Sequence, residues 1–549
     1  MPHTTQGQDR LARAFLNGHI DRRRFLELGA KSGGAVAGSG LLASLLAACG
    51  GGGGSDTGDA PAADAATPKA GGALKAALTG EPDSLDPAKS QIYTGAQVYD
   101  NVFSKLVDLD QDNAVYGVLA TKWEQKDPKT WVFTLREGVT FHNGEPFTAD
   151  DVTYTFERIA DPKTASGYAP LYEVIDSITA DSPTQVTFKL KTTFGPFLAN
   201  LANNGEIVNR KAIEAQGSLR KPVGTGPFEF VEWVQGDHVT LKKNAKYFVK
   251  GQPFLDEITF RFALVDQSRI DALRSGELDW VDAVPLQQLP TLSKDPTFTY
   301  VTSETAGIPD FLSMNTTKAP FDDVRVRQAV AWAVDREQVK SVAYFGAGEA
   351  GGEEVPSKSP WYTGKTPYAK PDLEKAKALL AEAGHGSGLT VEYLGLPQYP
   401  ELLKTGEVVR EQLKKIGITM KIKQVDVSVW FDRFSKGDFQ ITSAYQERTI
   451  DPDNFYSLVL KSGGSINTTG YASKEADDLI DKAAIETDDA KRKVLYLQLK
   501  QRIWEDVPLL FVHYETLNYL MRKQVAGSTI VPTLELRMGQ VGLTSGGAA

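Results

Sequence analysis

Cys49 is the only cysteine of the chain, and the residues before it indicate its chemistry. It follows Leu46-Ala47-Ala48, which fits a lipobox, the motif at which a lipoprotein precursor is cleaved and its cysteine acylated. Upstream, Arg22-Arg23 and the apolar, Gly/Ala-rich stretch after them fit a twin-arginine export signal. We therefore predict that residues 1–48 are a signal peptide. Acyl chains on Cys49 would then hold the mature protein on the outer side of a membrane.

The rest of the chain lacks the residue patterns that common enzymes use. It contains no G-x-S-x-G, G-x-x-x-x-G-K-[ST] or H-E-x-x-H motif. Paired carboxylates such as Asp150-Asp151 and Asp322-Asp323 stand at predicted helix starts, where the helix dipole explains them. Four histidines remain after residue 48, none at metal-ligand spacing, and we interpret them as structural: His142, His238, His385 and His513. We predict no catalytic residue, no metal and no cofactor.

Charge and length restrict the partners and the architecture. Residues 1–48 hold six Lys/Arg and three Asp/Glu, so the 60 basic and 70 acidic residues of the chain become 54 and 67, a net charge of −13. Such a surface repels nucleic acid and anionic lipid, so the membrane partner is reached through the acyl anchor alone. The remaining 501 residues are too many for one core and predict two or three domains. Residues 49–71 lack bulky apolar side chains and predict a flexible tether.

The spacing of apolar residues differs between the first and the second part of the chain. Before about residue 305 apolar residues alternate, as in Trp131-x-Phe133-x-Leu135 and Val186-x-Phe188-x-Leu190, which predicts half-buried strands. Thr148-x-x-Asp151 predicts the capped start of a helix. Later, residues 322–340 carry a helical stripe, and residues 389–422 read as strand, helix and strand, which predicts a βαβ unit with a parallel sheet. Residues 306–510 therefore look like an α/β domain of their own.

Several segments, in order, resemble the extracytoplasmic solute-binding proteins of peptide, opine and nickel ABC importers. The resemblance covers about residues 72–535. It is carried by EPDSLDP (81–87), LATKWE (119–124), TWVFTLREGVTFHNGEPFTADDVTYTFERI (130–159), GTGPFEFVEW (224–233), LRSGELD (273–279), MNTTKAPFDDVRVRQAVAWAVDRE (314–337) and DPDNF (451–455). A single segment would be weak, but this many in family order are improbable by chance.

The resemblance implies an α/β fold of the two-lobed periplasmic-binding-protein type, with hinged lobes, mixed sheets and an extra α+β domain. Lobe I would comprise residues 72–97, 199–305 and 513–549, the extra domain II residues 98–198, and lobe III residues 306–512. The implied function is capture of a small solute, with a short peptide as the expected ligand, between closing lobes, followed by delivery to an ABC permease. We expect a monomer, extracytoplasmic and lipid-anchored.

The resemblance also implies which residues touch the ligand. In peptide-binding relatives a segment after the opening motif lies along the ligand, and here it contains Tyr93 and Thr94. Those relatives hold the peptide ammonium with an aspartate three residues before the pair that is Asp451-Pro452 here, and an aromatic platform precedes that aspartate, which maps to Tyr445. Asp451 itself is a further candidate contact. So is Trp430, after the last strand of the βαβ unit, although a buried tryptophan is the commoner outcome.

The ammonium-binding position is occupied by Arg448, with Glu447 beside it, and this departure bears on specificity. Arginine repels an ammonium group at close range. Either Glu447 holds the amine, or Arg448 binds a carboxylate, phosphate or hydroxyl of a different ligand, or Arg448 pairs internally with Glu447 or Asp451. The alternatives to a peptide are an opine, an oligosaccharide or a metal chelate on the same scaffold. An exported hydrolase with an unrecognised site, and a sensor that uses the same hinge, are alternatives in function.

Overall fold

The computed structural model describes residues 67–544 except Gln91, Gly217, Ser218, Arg220, Ala263, Leu264 and Arg448. The predicted signal peptide, Cys49, residues 49–66 of the predicted tether and Arg448 lie outside the described residues. Among the helices that are described, none is long and apolar enough to cross a membrane.

Strands account for the framework of the molecule. In chain order they are β1 (Ala73–Ala77), β2 (Val107–Leu109), β3 (Val115–Gly117), β4 (Ala120–Asp127), β5 (Thr130–Leu135), β6 (Ile175–Ser182), β7 (Gln185–Leu190), β8 (Phe228–Val234), β9 (His238–Lys243), β10 (Glu257–Arg261), β11 (Trp280–Asp282), β12 (Phe298–Met314), β13 (Leu389–Gly395), β14 (Ile418–Gln424), β15 (Ile441–Tyr445), β16 (Leu509–Arg522), β17 (Val525–Ala526) and β18 (Gly542–Leu543).

Helices pack on the sheets and connect their strands. They are α1 (Tyr93–Tyr99), α2 (Ala149–Ala160), α3 (Ala169–Tyr172), α4 (Phe197–Asn204), α5 (Arg210–Gln216), α6 (Asp266–Ser275), α7 (Leu289–Leu292), α8 (Val324–Ala333), α9 (Arg336–Ala343), α10 (Leu373–Glu382), α11 (Pro400–Lys414), α12 (Val427–Ser435), α13 (Pro452–Phe455), α14 (Lys474–Ile485) and α15 (Asp489–Asp506). A π-helical turn, Tyr456–Leu460, and a 3-10 turn, Met538–Gln540, complete the set in the described part of the chain.

One ten-stranded mixed sheet runs through most of the molecule in the order β14-β13-β15-β12-β16-β11-β1-β10-β9-β8. We call the part with β1 and β8–β11 lobe I, and the part with β13–β15 lobe III. Each part has its own hydrophobic core, one around Trp280 and Tyr519 in lobe I and others around Trp430 and Val330 in lobe III. Two separate cores joined by two shared strands allow the lobes to move as units.

A separate antiparallel sheet, β4-β5-β7-β6, forms the centre of domain II. The predicted alternation is confirmed, because Phe133, Val186 and Phe188 are all fully buried and face α2. Helix α2 begins where predicted, since the side chain of Asp151 accepts the backbone N–H of Thr148 at 2.9 Å in a capping box. The strand-rich character of the first half therefore comes from local patterning.

The predicted βαβ unit is confirmed in lobe III. Strands β13 and β14 pair in parallel from Leu389–Ile418 to Gly395–Gln424, and α11 connects them. The helical stripe predicted over residues 322–340 is split into α8 and α9. Val334 is extended, and Asp335 caps a new helix by accepting the N–H of Gln338 at 3.1 Å. The apolar stripe continues across the break, which is why periodicity alone did not reveal it.

Candidate ligand-binding cleft

Strands β12 and β16 cross from one lobe to the other and are the covalent connection between them. Residues Phe298–Thr302 of β12 pair with β16 within lobe I, and residues Gly307–Ser313 pair with β16 within lobe III. The ladder is interrupted between Thr302 and Gly307. At Gly307 a Cβ atom would lie 2.1 Å from the carbonyl oxygen of Glu515, so only glycine fits this close crossing. The interruption is where a hinge can bend.

The lobe I side of the cleft is built by α1 and the adjoining ends of β11 and β16. The hydroxyl groups of Tyr93 and Tyr519 lie beside each other and near the carboxyl group of Asp282. Gln97, one turn along α1 from Tyr93, donates to Asp282 Oδ2 at 3.1 Å. Burial raises the pKa of Tyr93 well above its usual value and the pKa of Asp282 to about 6.

Polar atoms on this face have unused hydrogen-bonding capacity. Within the described residues, Oε1 of Gln97 and Oδ1 of Asp282 are buried without a well-aligned partner, and the buried hydroxyls of Tyr93 and Tyr519 interact with each other. Buried polar groups are nearly always hydrogen-bonded in folded proteins, so a buried cluster with spare donors and acceptors calls for an explanation. A ligand between the lobes would supply the missing donors and acceptors.

The lobe III side of the cleft is built by the end of β15 and the residues after it. Tyr445, the last residue of β15, is 7% exposed, and its ring centroid lies 5.9 Å from that of Tyr399. Glu447 follows two residues later and is also mostly buried. Its negative charge contributes to the raised pKa of Tyr93, so the two predicted segments face each other across the lobes.

Beside this face, the register of β12 and β16 brings acidic groups together. Asp310 pairs with Tyr445 on one side and with His513 on the other. Burial raises the pKa of Asp310 and the charge of Glu515 raises it further, while the hydroxyl of Tyr344 lowers it. His513 stacks on Tyr344 with ring centroids 3.6 Å apart, and burial lowers its pKa to about 3. His513 is therefore a neutral, structural histidine.

Two other predicted contacts have clear structural roles. The hydroxyl of Thr94 donates to the carbonyl oxygen of Glu81 at 3.3 Å and is buried. Trp430 is fully buried on α12, where it stacks on Phe434 at 4.4 Å and donates from Nε1 to the hydroxyl of Thr442 at 3.1 Å. These contacts make Trp430 part of the lobe III core, the outcome that the sequence analysis had weighed against ligand contact.

Asp451 is engaged with the protein itself. Its two carboxylate oxygens accept from Arg492 at 2.9 Å and 2.7 Å, and Oδ1 also accepts the backbone N–H of Asp453 at 2.9 Å to cap α13. Both side chains of the pair are at most 5% exposed. A bidentate buried pair of this kind leaves Asp451 little capacity for a ligand. Arg492 is thus an internal partner of Asp451, and their separation of 41 residues in sequence is too large for a local pattern to predict the pair.

Domain II also touches lobe III. The backbone N–H of Gly195 donates to the carbonyl oxygen of Ala484 at 2.7 Å. Beside it, Nδ2 of Asn454 donates at 3.2 Å to Oδ1 of Asn200 on α4, just past the predicted end of domain II. Ile450 of lobe III packs into the domain II core. Together with the proximity of Tyr93 to Glu447, these contacts show that lobe III lies close to lobe I and to domain II in this structure.

Sequence reasoning singled out Tyr93 and Glu447, which the structure brings near each other, and did not include Asp282 and Tyr519, which lie near Tyr93. Asp282 ends a three-residue strand, and Tyr519 lies within a continuously buried run of β16. No local pattern distinguishes such residues from ordinary strand residues. The signal that they form a site is their convergence, which depends on the sheet order.

Two lobes joined by a pair of crossing strands, with polar residues facing each other between them, define a two-lobed solute-binding protein. The family described as bacterial extracellular solute-binding proteins, family 5 Middle, matches residues 114–467, more than half of the chain. The chain belongs to this family.

Individual relatives agree with the assignment over nearly their whole length. The glutathione-binding protein GsiB of Pectobacterium atrosepticum is 27% identical over 474 residues, which cover 82% of this chain and 90% of GsiB. AgaA of A. tumefaciens R10, solved with agropinic acid, is 30% identical with a TM-score of 0.73 and covers 86% of this chain and 99% of AgaA. DppA of Helicobacter pylori, solved with the peptide STSA, is 27% identical with a TM-score of 0.74, over 87% and 99% of the two chains.

These matches confirm the predicted class and fold. The protein is the extracytoplasmic substrate-binding component of an ABC importer, with the two-lobed periplasmic-binding-protein fold. Its relatives are solute-binding proteins rather than enzymes, in agreement with the absence of a recognisable catalytic motif from the sequence.

Proposed function

We propose that the protein captures a short peptide between lobes I and III and presents it to an ABC permease. The observation that carries this proposal is the proximity of Tyr93 in lobe I to Glu447 in lobe III, beside a buried polar cluster at Asp282 and Tyr519 that has unused hydrogen-bonding capacity. The DppA complex with a tetrapeptide supports the same reading. The ligand contacts that we propose are Tyr93, Tyr445 and Glu447, with Arg448 at the adjoining position.

Binding would work through closure. A ligand that touches both lobes stabilises the closed state by the difference between its interactions with the closed and open states. Micromolar affinity requires about 8 kcal/mol of net binding free energy. A charge-assisted hydrogen bond between the peptide ammonium and Glu447 contributes about 1.5–3 kcal/mol of this. Aromatic contact with Tyr93 and Tyr445 adds apolar burial on both sides of the peptide.

The division of the chain remains part of the proposal. We place lobe I at residues 72–97, 199–305 and 513–549, domain II at 98–198 and lobe III at 306–512. The interrupted ladder between Thr302 and Gly307 supports a boundary near residue 305. We also propose that the protein acts as a monomer held to the membrane by acyl chains on Cys49, which rests on the lipobox and export motifs. A Cys49→Ser variant would then leave the membrane fraction.

A second candidate is an acidic ligand of the opine type. Arg448 occupies the position at which peptide-binding relatives carry an aspartate, and AgaA was solved with agropinic acid. An arginine at this point would bind a ligand carboxylate through two parallel hydrogen bonds.

Mass spectrometry of molecules that co-purify with the protein, followed by titration calorimetry, distinguishes the two candidates. For a peptide ligand, Glu447→Gln weakens binding by about tenfold or more, while Arg448→Asp preserves or improves it. For an opine, Arg448→Asp abolishes binding and Glu447→Gln has little effect. The exposed Glu411→Gln on α11 is the matched control and leaves both unchanged. If no peptide, opine or sugar changes the solution scattering of the protein, closure around a ligand is refuted.

A further inference from the structure

A cavity of about 570 Å³ lies at the junction of domain II and lobe I. Its lining comes from residues 100–136, Glu206, residues 227–252 and residues 529–540. None of its lining residues belongs to lobe III, and none is a proposed ligand contact of the cleft. Its volume is within the range of small-molecule sites, which is about 300–1,000 Å³. We call it the domain II cavity.

Four of its charged side chains neutralise each other. Lys105 pairs with Glu535 and lies 3.6 Å from Asp108, and both Lys105 and Glu535 are about 5% exposed. Arg537 pairs with Asp108 at 2.7 Å and with Glu535 at 3.4 Å. Two cations and two carboxylates therefore form a closed ion cluster on the cavity lining, and this cluster needs no ligand.

Glu206 lines the cavity as well but has no such partner. It is 4% exposed and makes no hydrogen bond or ion pair with any residue that the structure describes. Its carboxylate oxygens are not among the buried polar atoms that lack partners in the described structure, so they face the open space of the cavity, where an added cation can reach them. A metal ion takes several protein ligands, and no group of three or more His, Cys, Asp or Glu side chains in the described ranges is arranged to hold one. A single carboxylate on the wall suits the ammonium group of an organic cation better.

Arg136 supplies the opposite charge in the same cavity. Its Nε donates to the carbonyl oxygen of Val118 at 3.0 Å, and its guanidinium lies 5.2 Å from the ring centroid of Phe248. Within the described chain no carboxylate pairs with it, so its terminal nitrogens are available to an acidic group. Phe248 packs on Tyr247 with ring centroids 4.7 Å apart, which adds an aromatic wall.

We infer that the domain II cavity is a second ligand site and that it takes a small zwitterion, a free amino acid or a molecule of the same kind. The ligand ammonium pairs with Glu206, its carboxylate pairs with Arg136, and its apolar body packs on Phe248 and Tyr247. Binding here is independent of lobe closure, because lobe III contributes no residue to the cavity.

The test measures binding of the individual common L-amino acids to the purified full-length protein by ligand-observed saturation-transfer NMR. We expect at least one amino acid to bind. For the strongest binder, two analogues are then compared, the amine that lacks the carboxylate and the acid that lacks the ammonium. Glu206→Gln weakens binding of the amino acid and of the amine by about tenfold or more. Arg136→Met weakens binding of the amino acid and of the acid.

Two controls separate this site from the cleft and from the fold. The exposed neighbour variant Glu137→Gln leaves binding unchanged, and so does Glu447→Gln in the cleft. Because Glu206 has no partner in the described structure, Glu206→Gln leaves the unfolding temperature unchanged or raises it. The inference is overturned if no amino acid binds, if binding survives both cavity variants, if Glu447→Gln removes it, or if Glu206→Gln lowers the unfolding temperature.

Discussion

Replacement of Arg492 by methionine tests whether Asp451 serves the fold or the ligand. The Arg492 side chain is 2% exposed and donates to both oxygens of Asp451. It also donates to the hydroxyl of Tyr496 at 3.1 Å and lies 4.8 Å from the ring centroid of Trp361. Methionine approximates its length but leaves Asp451 and the neighbouring Asp453 as buried carboxylates without their cation.

The expected cost is large because the desolvation of Asp451 is then uncompensated. Removing one partner of a buried ion pair costs about 3–5 kcal/mol. We expect Arg492→Met to lower the free energy of unfolding, measured by urea denaturation at neutral pH, by that amount. Lys491→Met, an exposed neighbour on α15, serves as control and changes the free energy by less than about 0.5 kcal/mol.

A double-mutant cycle with Asp451→Asn isolates the pair. The two substitutions lie in direct contact, so their effects are non-additive by about 1–3 kcal/mol. The reasoning is refuted if Arg492→Met costs less than about 1 kcal/mol while it abolishes ligand binding. That result would mean that the Asp451 charge is directed at the ligand and that Arg492 only positions it.

Three further predictions concern a buried acid, the hinge and the lobe III core. Burial, followed by the charge of Asp451, raises the pKa of Asp453 to about 6. The folded state therefore holds this proton more tightly than the unfolded chain, where aspartate titrates near about 4. The tighter proton binding by the folded state stabilises the protein fully below about pH 4, and this stabilisation is lost as pH rises through about 6. Asp453→Asn should therefore raise the free energy of unfolding at pH 7 by about 1–3 kcal/mol. It should also flatten the pH dependence of this free energy in urea titrations between pH 5 and 7. A variant no more stable than the parent at pH 7 would contradict this. Gly307→Ala forces a Cβ against the Glu515 carbonyl and should destabilise the protein by about 1–3 kcal/mol. It should also alter the difference in solution scattering between ligand-free and ligand-bound protein. An unchanged difference would argue against a hinge at Gly307. Trp430→Phe removes the hydrogen bond to Thr442 and part of the core volume, so calorimetry should show a decrease of about 1–3 kcal/mol in the free energy of unfolding. Ligand affinity should stay within about twofold of the parent value. A large loss of affinity without a loss of stability would place Trp430 at the ligand.

Elements with strong local patterns could be predicted from the sequence, because their causes lie within a few residues. The alternation around Phe133 and Phe188 predicted β5 and β7, and Thr148-x-x-Asp151 predicted the start of α2. The split between α8 and α9 was missed, because the apolar stripe continues past Val334 and only the cap at Asp335 marks the break. A cap inside a periodic stretch is a weaker signal than the stripe that surrounds it.

For the cleft, short sequence motifs in family order were enough to indicate the family and the segments that carry binding chemistry. The roles of the individual side chains in those segments depend on the three-dimensional packing. Trp430 is buried because α12 directs its side chain into the core. Asp451 forms an ion pair with Arg492, which lies 41 residues away in sequence, and is therefore occupied within the protein. Tyr93, Asp282, Glu447 and Tyr519 meet because strands distant in sequence share one sheet. Such proximity is set by strand order and lobe packing, which no short pattern encodes.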